Sequence, residues 1–213
     1  MMHPISRTEL WHAQAIVLMA IVLQLSLPSS LRLGPKFTIA ILEFALLFAI
    51  TFTAPRRHST TATLNKAIST ILIGLVSLAN GGQLALLIKA LLDNSTLPGR
   101  ALLTGALAIF ITNIIMFGLW YWEFDSPGLS GVKKHDSSPQ FQFPNMQDEM
   151  RRINKWEPTF FDYLYISITN STAFSPTDTM PLTHATKALM SVQALISLLT
   201  VVLVTARAVN ILG

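Results

Sequence analysis

Five apolar stretches, Trp11–Leu27, Phe37–Ala54, Ala67–Leu92, Ala101–Trp122 and Thr183–Leu212, constrain this chain more than any other feature. Each approaches or exceeds the about 20 apolar residues that a helix needs to cross a bilayer. Backbone polar groups cannot be left unpaired in hydrocarbon, so such stretches must close their hydrogen bonds internally as helices. Composition points the same way: 51% of the residues are hydrophobic and 12% are charged. The chain therefore reads as an all-α membrane protein with five transmembrane helices. Its net charge of +4 sits mainly in the connectors. That places anionic headgroups of the lipid bilayer, and no nucleic acid, as the partner. There is no cysteine, which excludes disulfides, thiolate metal sites and cysteine nucleophiles.

A sixth segment, Phe161–Thr169, is apolar and aromatic but too short to span. A run of small and polar residues follows: Asn170, Ser171, Thr172, Ala173, Phe174, Ser175, Pro176, Thr177 and Asp178. Pro181 and the fifth apolar stretch come next. A segment that enters a bilayer and does not cross it must return, and polar backbone at that depth is tolerated only when it is buried in protein or lines water. The pattern predicts one re-entrant pore helix feeding a filter-like loop and then a spanning helix.

The order of short helix, Thr-rich loop, Asp-x-x-Pro-x-Thr and long helix resembles the pore module of tetrameric potassium-type channels. Asp178, Pro181 and Thr183 stand where that family has Asp, Pro and Thr after its filter. Over Trp156–Gly213 the chain is also similar to an uncharacterised family of bacterial multi-span membrane proteins whose C-terminal half resembles the same module. The resemblance implies an N-terminal three-helix membrane region over residues 1–100 and a pore-loop module over 101–213. It also implies a homotetramer, because one module cannot enclose a pore. Inorganic ions are then the cargo and the bacterial cytoplasmic membrane the location.

The filter itself departs from the potassium pattern. Potassium filters read Thr-Val-Gly-Tyr-Gly before the Asp, whereas Thr172 is followed by Ala173, Phe174, Ser175, Pro176 and Thr177, with no glycine. Glycines permit the backbone angles that turn carbonyls toward the ion, and Pro176 restricts both itself and Ser175. A potassium-type carbonyl ladder is not expected. Four copies of Asp178 around an axis would still draw cations, so the expectation is weak cation selectivity.

Two further features carry weight. On the fifth stretch Thr186, Gln193, Ser197, Thr200 and Arg207 fall within a sector of about 80° at 100° per residue. The first four are candidate pore-lining residues, with interhelical hydrogen bonding as the competing role. Glu43 is the one acid well inside an apolar stretch. Intramembrane carboxylates are costly and mark either a titrating group or a structural pair. Asn80-Gly81-Gly82-Gln83 in the third stretch suggests a kink or a close helix contact. Read as a break, it supports with Glu43 an alternative, a secondary transporter. A non-conducting structural membrane protein is the third possibility. No nucleophile motif, phosphate loop or histidine pair with metal spacing is present, so neither catalysis, a metal nor a cofactor is expected. Trp120, Tyr121 and Trp122 close the fourth stretch and read as an interfacial aromatic belt. Loop Lys and Arg counts favour the Glu123–Glu157 loop inside, while the channel resemblance places it outside, which leaves orientation open.

Overall fold

The computed structural model describes residues 7–53, 62–93, 98–125, 139–146, 156–175 and 178–212. Among them are six α-helices: α1 Arg7–Ser26, α2 Thr38–Thr53, α3 Ala62–Leu92, α4 Gly99–Asp125, α5 Phe160–Thr172 and α6 His184–Leu212. The two-residue strands β1, Phe141–Gln142, and β2, Met180–Pro181, pair antiparallel, Phe141 opposite Pro181 and Gln142 opposite Met180.

Four helices, α1, α3, α4 and α6, are long and apolar enough to cross a membrane. That fits an integral membrane protein. α2, expected as a full span, is a 16-residue helix. At 1.5 Å per residue it measures about 24 Å, short of a hydrocarbon core of about 30 Å. α3 begins at Ala62, earlier than its apolar stretch, and runs unbroken through Gly81 and Gly82. The glycine pair is a close approach rather than a break: a Cβ on Gly82 would meet the Leu33 side chain, while Gly81 faces open space.

α4 is the central helix and packs against α1, α3, α5 and α6. One buried cluster joins Val17 and Ile21 of α1, Ile73 and Val76 of α3, and Met116 and Trp122 of α4 to Phe160 and Tyr163 of α5 and Met190 of α6. A boundary near residue 100 therefore divides the sequence but not the core. A second cluster fills the other end of the bundle, from Leu27 and Leu31 to Leu87 and Ile109.

The aromatic cluster at the end of α4 is not a lipid-facing belt. Tyr121 and Trp122 are buried. Trp122 packs on Phe160 at 5.0 Å between ring centroids, and half-buried Trp120 donates its indole N–H to Ser77 Oγ at 3.0 Å. The rings found neighbours inside the bundle, where they bury more area than at an interface.

Candidate functional site

α5 is positioned residue by residue. Asp162 accepts hydrogen bonds from the Thr159 backbone N–H at 2.7 Å and from its hydroxyl at 2.8 Å, fixing the helix start. Tyr163 donates its hydroxyl to Asp125 Oδ2 at 2.8 Å. Further along, α5 lies almost against the α4 backbone at Gly118, where a Cβ would sit 3.3 Å from Leu164 Cα. Deeper still, Ser167 Oγ donates to the Ile114 carbonyl at 2.6 Å. Ile114 lies about 16 Å from Asp125 along α4 at 1.5 Å per residue. α5 thus starts at the Asp125 end and runs inward beside α4.

The inner half of α5 is tied to α6 by one amide. Gln193 Nε2 lies within donor distance of Ser167 O at 3.0 Å, Ser167 Oγ at 2.6 Å and Ser171 Oγ at 2.8 Å. Its Oε1 accepts from Asn170 Nδ2 at 2.9 Å and from the Tyr121 hydroxyl. Asn170 Nδ2 also reaches the Met190 carbonyl at 2.9 Å. Ser167, Asn170 and Ser171 stand at i, i+3 and i+4, so a single face of α5 presents all three. Four positions later on α6, Ser197 Oγ accepts from Asn113 Nδ2 at 3.2 Å. Three helices thereby share one buried polar network.

The chain returns to the end where α5 began. Gln140 donates its backbone N–H to Asp125 Oδ1 at 2.5 Å. Its carbonyl accepts from Leu182 N at 2.8 Å, and its side-chain Oε1 accepts from Thr183 Oγ1 at 2.6 Å. Thr183 caps α6, its hydroxyl accepting the Thr186 N–H at 3.3 Å. Phe141 and Phe143 seat this lid on the bundle: Phe141 lies 5.3 Å from Tyr121 and Phe143 5.5 Å from Tyr163, both edge-on. The starts of α5 and α6 and both strands therefore gather at one end of α4.

The loop is shorter than the sequence implied. Asn170, Ser171 and Thr172 belong to α5, because Asn170 and Ser171 find partners on α6 and Thr172 returns its hydroxyl to the Ile168 carbonyl at 2.8 Å. Ala173 is the C-cap, its N–H bonded to the Thr169 carbonyl at 2.8 Å. Phe174 follows with φ +54°, the left-handed conformation that usually ends a helix at glycine. Thr172, Ala173, Phe174, Ser175 and Asp178 are exposed, and Asp178 Oδ1 accepts from Thr179 Oγ1 at 3.3 Å. Pro176 and Thr177 lie outside the described residues.

The polar stripe of α6 turns inward. Thr186, Gln193, Ser197 and Thr200 are 0–2% exposed in the single chain, whereas Leu195 and Val202 on the opposite face are 60% and 54% exposed. The sequence leaves these four between lining a water-filled axis and bonding between helices; in the fold Gln193 and Ser197 are taken by α4 and α5, Thr186 by the α6 cap, and Thr200 by its own helix, bonded to the Ile196 carbonyl at 2.8 Å. Glu43 is buried on α2, which packs on α1 and α3. Among the described residues no group of three His, Cys, Asp or Glu side chains could hold a metal ion.

Phe141 and Phe143 are site residues not anticipated from the sequence, and Tyr121, expected at a lipid interface, joins them. The signal for the two phenylalanines is the alternation Gln140-Phe141-Gln142-Phe143 inside an otherwise polar loop, a period-two pattern with one apolar face. No protein family, no curated protein and no solved structure matches the chain.

Proposed function

We propose that the chain is a pore-loop ion channel or channel-like membrane protein, weakly cation-selective and with a filter unlike the potassium type. In this reading α5 is a re-entrant pore helix, α2 is a short fifth span, and residues 173–179 form the loop that leads back out. The observation that carries it is the shared end: α5 starts beside Asp125, and β2 and α6 start beside Gln140, which is itself bonded to Asp125. Ala173 and Phe174 turn the chain out of the helix, and the five residues to Thr179 reach at most about 17 Å, close to the ~18 Å that α5 descends. Four copies in the bacterial cytoplasmic membrane would set the exposed Phe174, Ser175 and Asp178 around an axis through the lipid bilayer, with inorganic ions as cargo. The stripe of Gln193 and Ser197 then acts as the tether that holds the pore helix at depth, not as the pore wall.

A second reading has a specific observation behind it. The polar stripe is sealed inside the chain, so the module also suits a structural membrane protein that keeps the architecture and conducts nothing.

Reconstitution separates the two. In liposomes carrying the assembled protein, sodium and potassium flux should be similar and should exceed chloride flux. Asp178→Asn should lower cation flux several-fold with the oligomer intact, since it removes four charges from one ring. Chloride flux above cation flux contradicts the proposal. No flux from a well-folded tetramer favours the structural reading.

A further inference from the structure

The buried acid of the N-terminal bundle is independent of the pore module. α2 turns Ile39, Ala40, Glu43, Leu46 and Ala49 inward and leaves Ile41, Phe44 and Phe48 exposed. Glu43 therefore sits in the middle of the helix's buried face, at 0% exposure. Neither carboxyl oxygen has a hydrogen-bond partner among the described residues. The neighbouring helices are placed by two contacts: Gln14 Nε2 of α1 donates to Thr51 Oγ1 at 3.0 Å, and Gly82 of α3 meets Leu33 just before α2. Both contacts fall toward the ends of α2, with Glu43 between them.

The charged and titratable groups of the helices packed on α2 sit toward the helix ends. α1 carries Arg7, Glu9 and His12 in its first turns, and α3 carries Lys66 and Lys89, the latter exposed in its last turn. The side chains of Arg7 and Lys66 lie outside the described residues. Facing the bundle from α1 are Ala13, Val17, Ala20, Ile21 and Gln24; facing it from α3 are Ser69, Ile73, Val76, Asn80 and Gln83. These are neutral groups. On α3, Ser69 Oγ and Gln83 Nε2 also lack partners among the described residues, as does Asn80 Oδ1, while Asn80 Nδ2 donates to the Ile109 carbonyl of α4 at 3.2 Å.

A carboxylate in such a place loses its hydration and, among the described residues, gains no hydrogen-bond donor. A neutral carboxylic acid avoids the charge. We propose that Glu43 is a proton-binding site of the α1–α2–α3 bundle, holding its proton at neutral pH and releasing it to water only when α2 moves. The step is one proton transfer from the carboxyl oxygen to water, with no change in oxidation state. Loss of the proton leaves a buried anion, so ionisation and loosening of α2 are coupled: alkaline conditions that ionise Glu43 open the bundle.

Infrared spectroscopy of the full chain in lipid nanodiscs tests this without any flux assay. At pH 7 the wild type should show the carbonyl band of a protonated carboxyl that shifts in D2O and on ¹³C labelling of glutamate. The band should vanish in Glu43→Gln and persist in Glu123→Gln, which alters the other buried glutamate. Glu43→Asp serves where the glutamine variant does not fold, and should move the band out of reach of the glutamate label. Raising the pH should remove the wild-type band and speed amide exchange in α2 together. A missing band at pH 7, a band that survives Glu43→Gln or ignores Glu43→Asp, or a band that disappears in Glu123→Gln would overturn the proposal.

Discussion

Gln193→Leu should cost about 2 kcal/mol of stability, because interhelical side-chain hydrogen bonds in membranes average about 0.6 kcal/mol and the two hydrogens and two lone pairs of this amide make four at a time. Leucine has a similar volume, so the loss isolates the polar network rather than packing. It leaves Ser167, Ser171, Asn170 and the Tyr121 hydroxyl without the amide they share. Unfolding in mixed micelles gives the number. The same variant in a background of Ser167→Ala and Ser171→Ala should cost clearly less than on its own, since the partners are then already gone. Equal costs in the two backgrounds would show that the bonds to Ser167 and Ser171 carry none of the effect. The inner half of α5 then loses its tie to α6, and on the pore-loop proposal the loop that begins at Ala173 loses its fixed depth.

Gly118→Leu should be comparably damaging, about 3 kcal/mol, at the upper end of what overpacking costs. Gly118 meets Leu164 at both its side chain, 3.2 Å from a Cβ, and its Cα, 3.3 Å away. A side chain can turn aside but a helix backbone cannot, so α5 must lift off α4. Ser167 Oγ would then part from the Ile114 carbonyl. Gly81→Ala is the matched control: nothing lies within 4 Å of its Cβ position, and exchanging glycine for alanine inside a helix should gain about 1 kcal/mol. Opposite signs for two glycine substitutions, read by the same unfolding assay, would locate the α4–α5 seam. A neutral Gly118→Leu would place α5 elsewhere.

How much of this was legible in the sequence depends on what each signal reports. Hydropathy reports where a stretch partitions, so all five long helices emerged, four with ends within a few residues and α3 starting five residues early at Ala62. α2 matches its stretch Phe37–Ala54 to within a residue at each end, but hydropathy does not say whether 16 helical residues cross. Periodicity reports which side chains share a face, so Thr186, Gln193, Ser197 and Thr200 were correctly grouped. It does not report which way the face turns. That was decided by Ser167, Asn170, Ser171 and Asn113, polar groups on other helices that only the tertiary fold brings to Gln193 and Ser197. The same limit misplaced Trp120, Tyr121 and Trp122, since an aromatic end to a span fits both a lipid interface and a buried seat. The start of the loop was set too early because Asn, Ser and Thr disfavour helix interiors in water. Here their hydroxyls and amides bond to i−4 carbonyls or to Gln193, and the helix continues to Thr172.

The most direct measurement concerns the side on which α5 begins and the loop ends. The chain contains no cysteine, so Glu157→Cys and Met180→Cys, both at exposed positions, give single reporters on either flank of the excursion. In oriented proteoliposomes an impermeant maleimide should label both from the same face, as expected of a helix that enters and returns. Labelling from opposite faces would mean that residues 158–179 cross the bilayer, and the pore-loop reading would be lost.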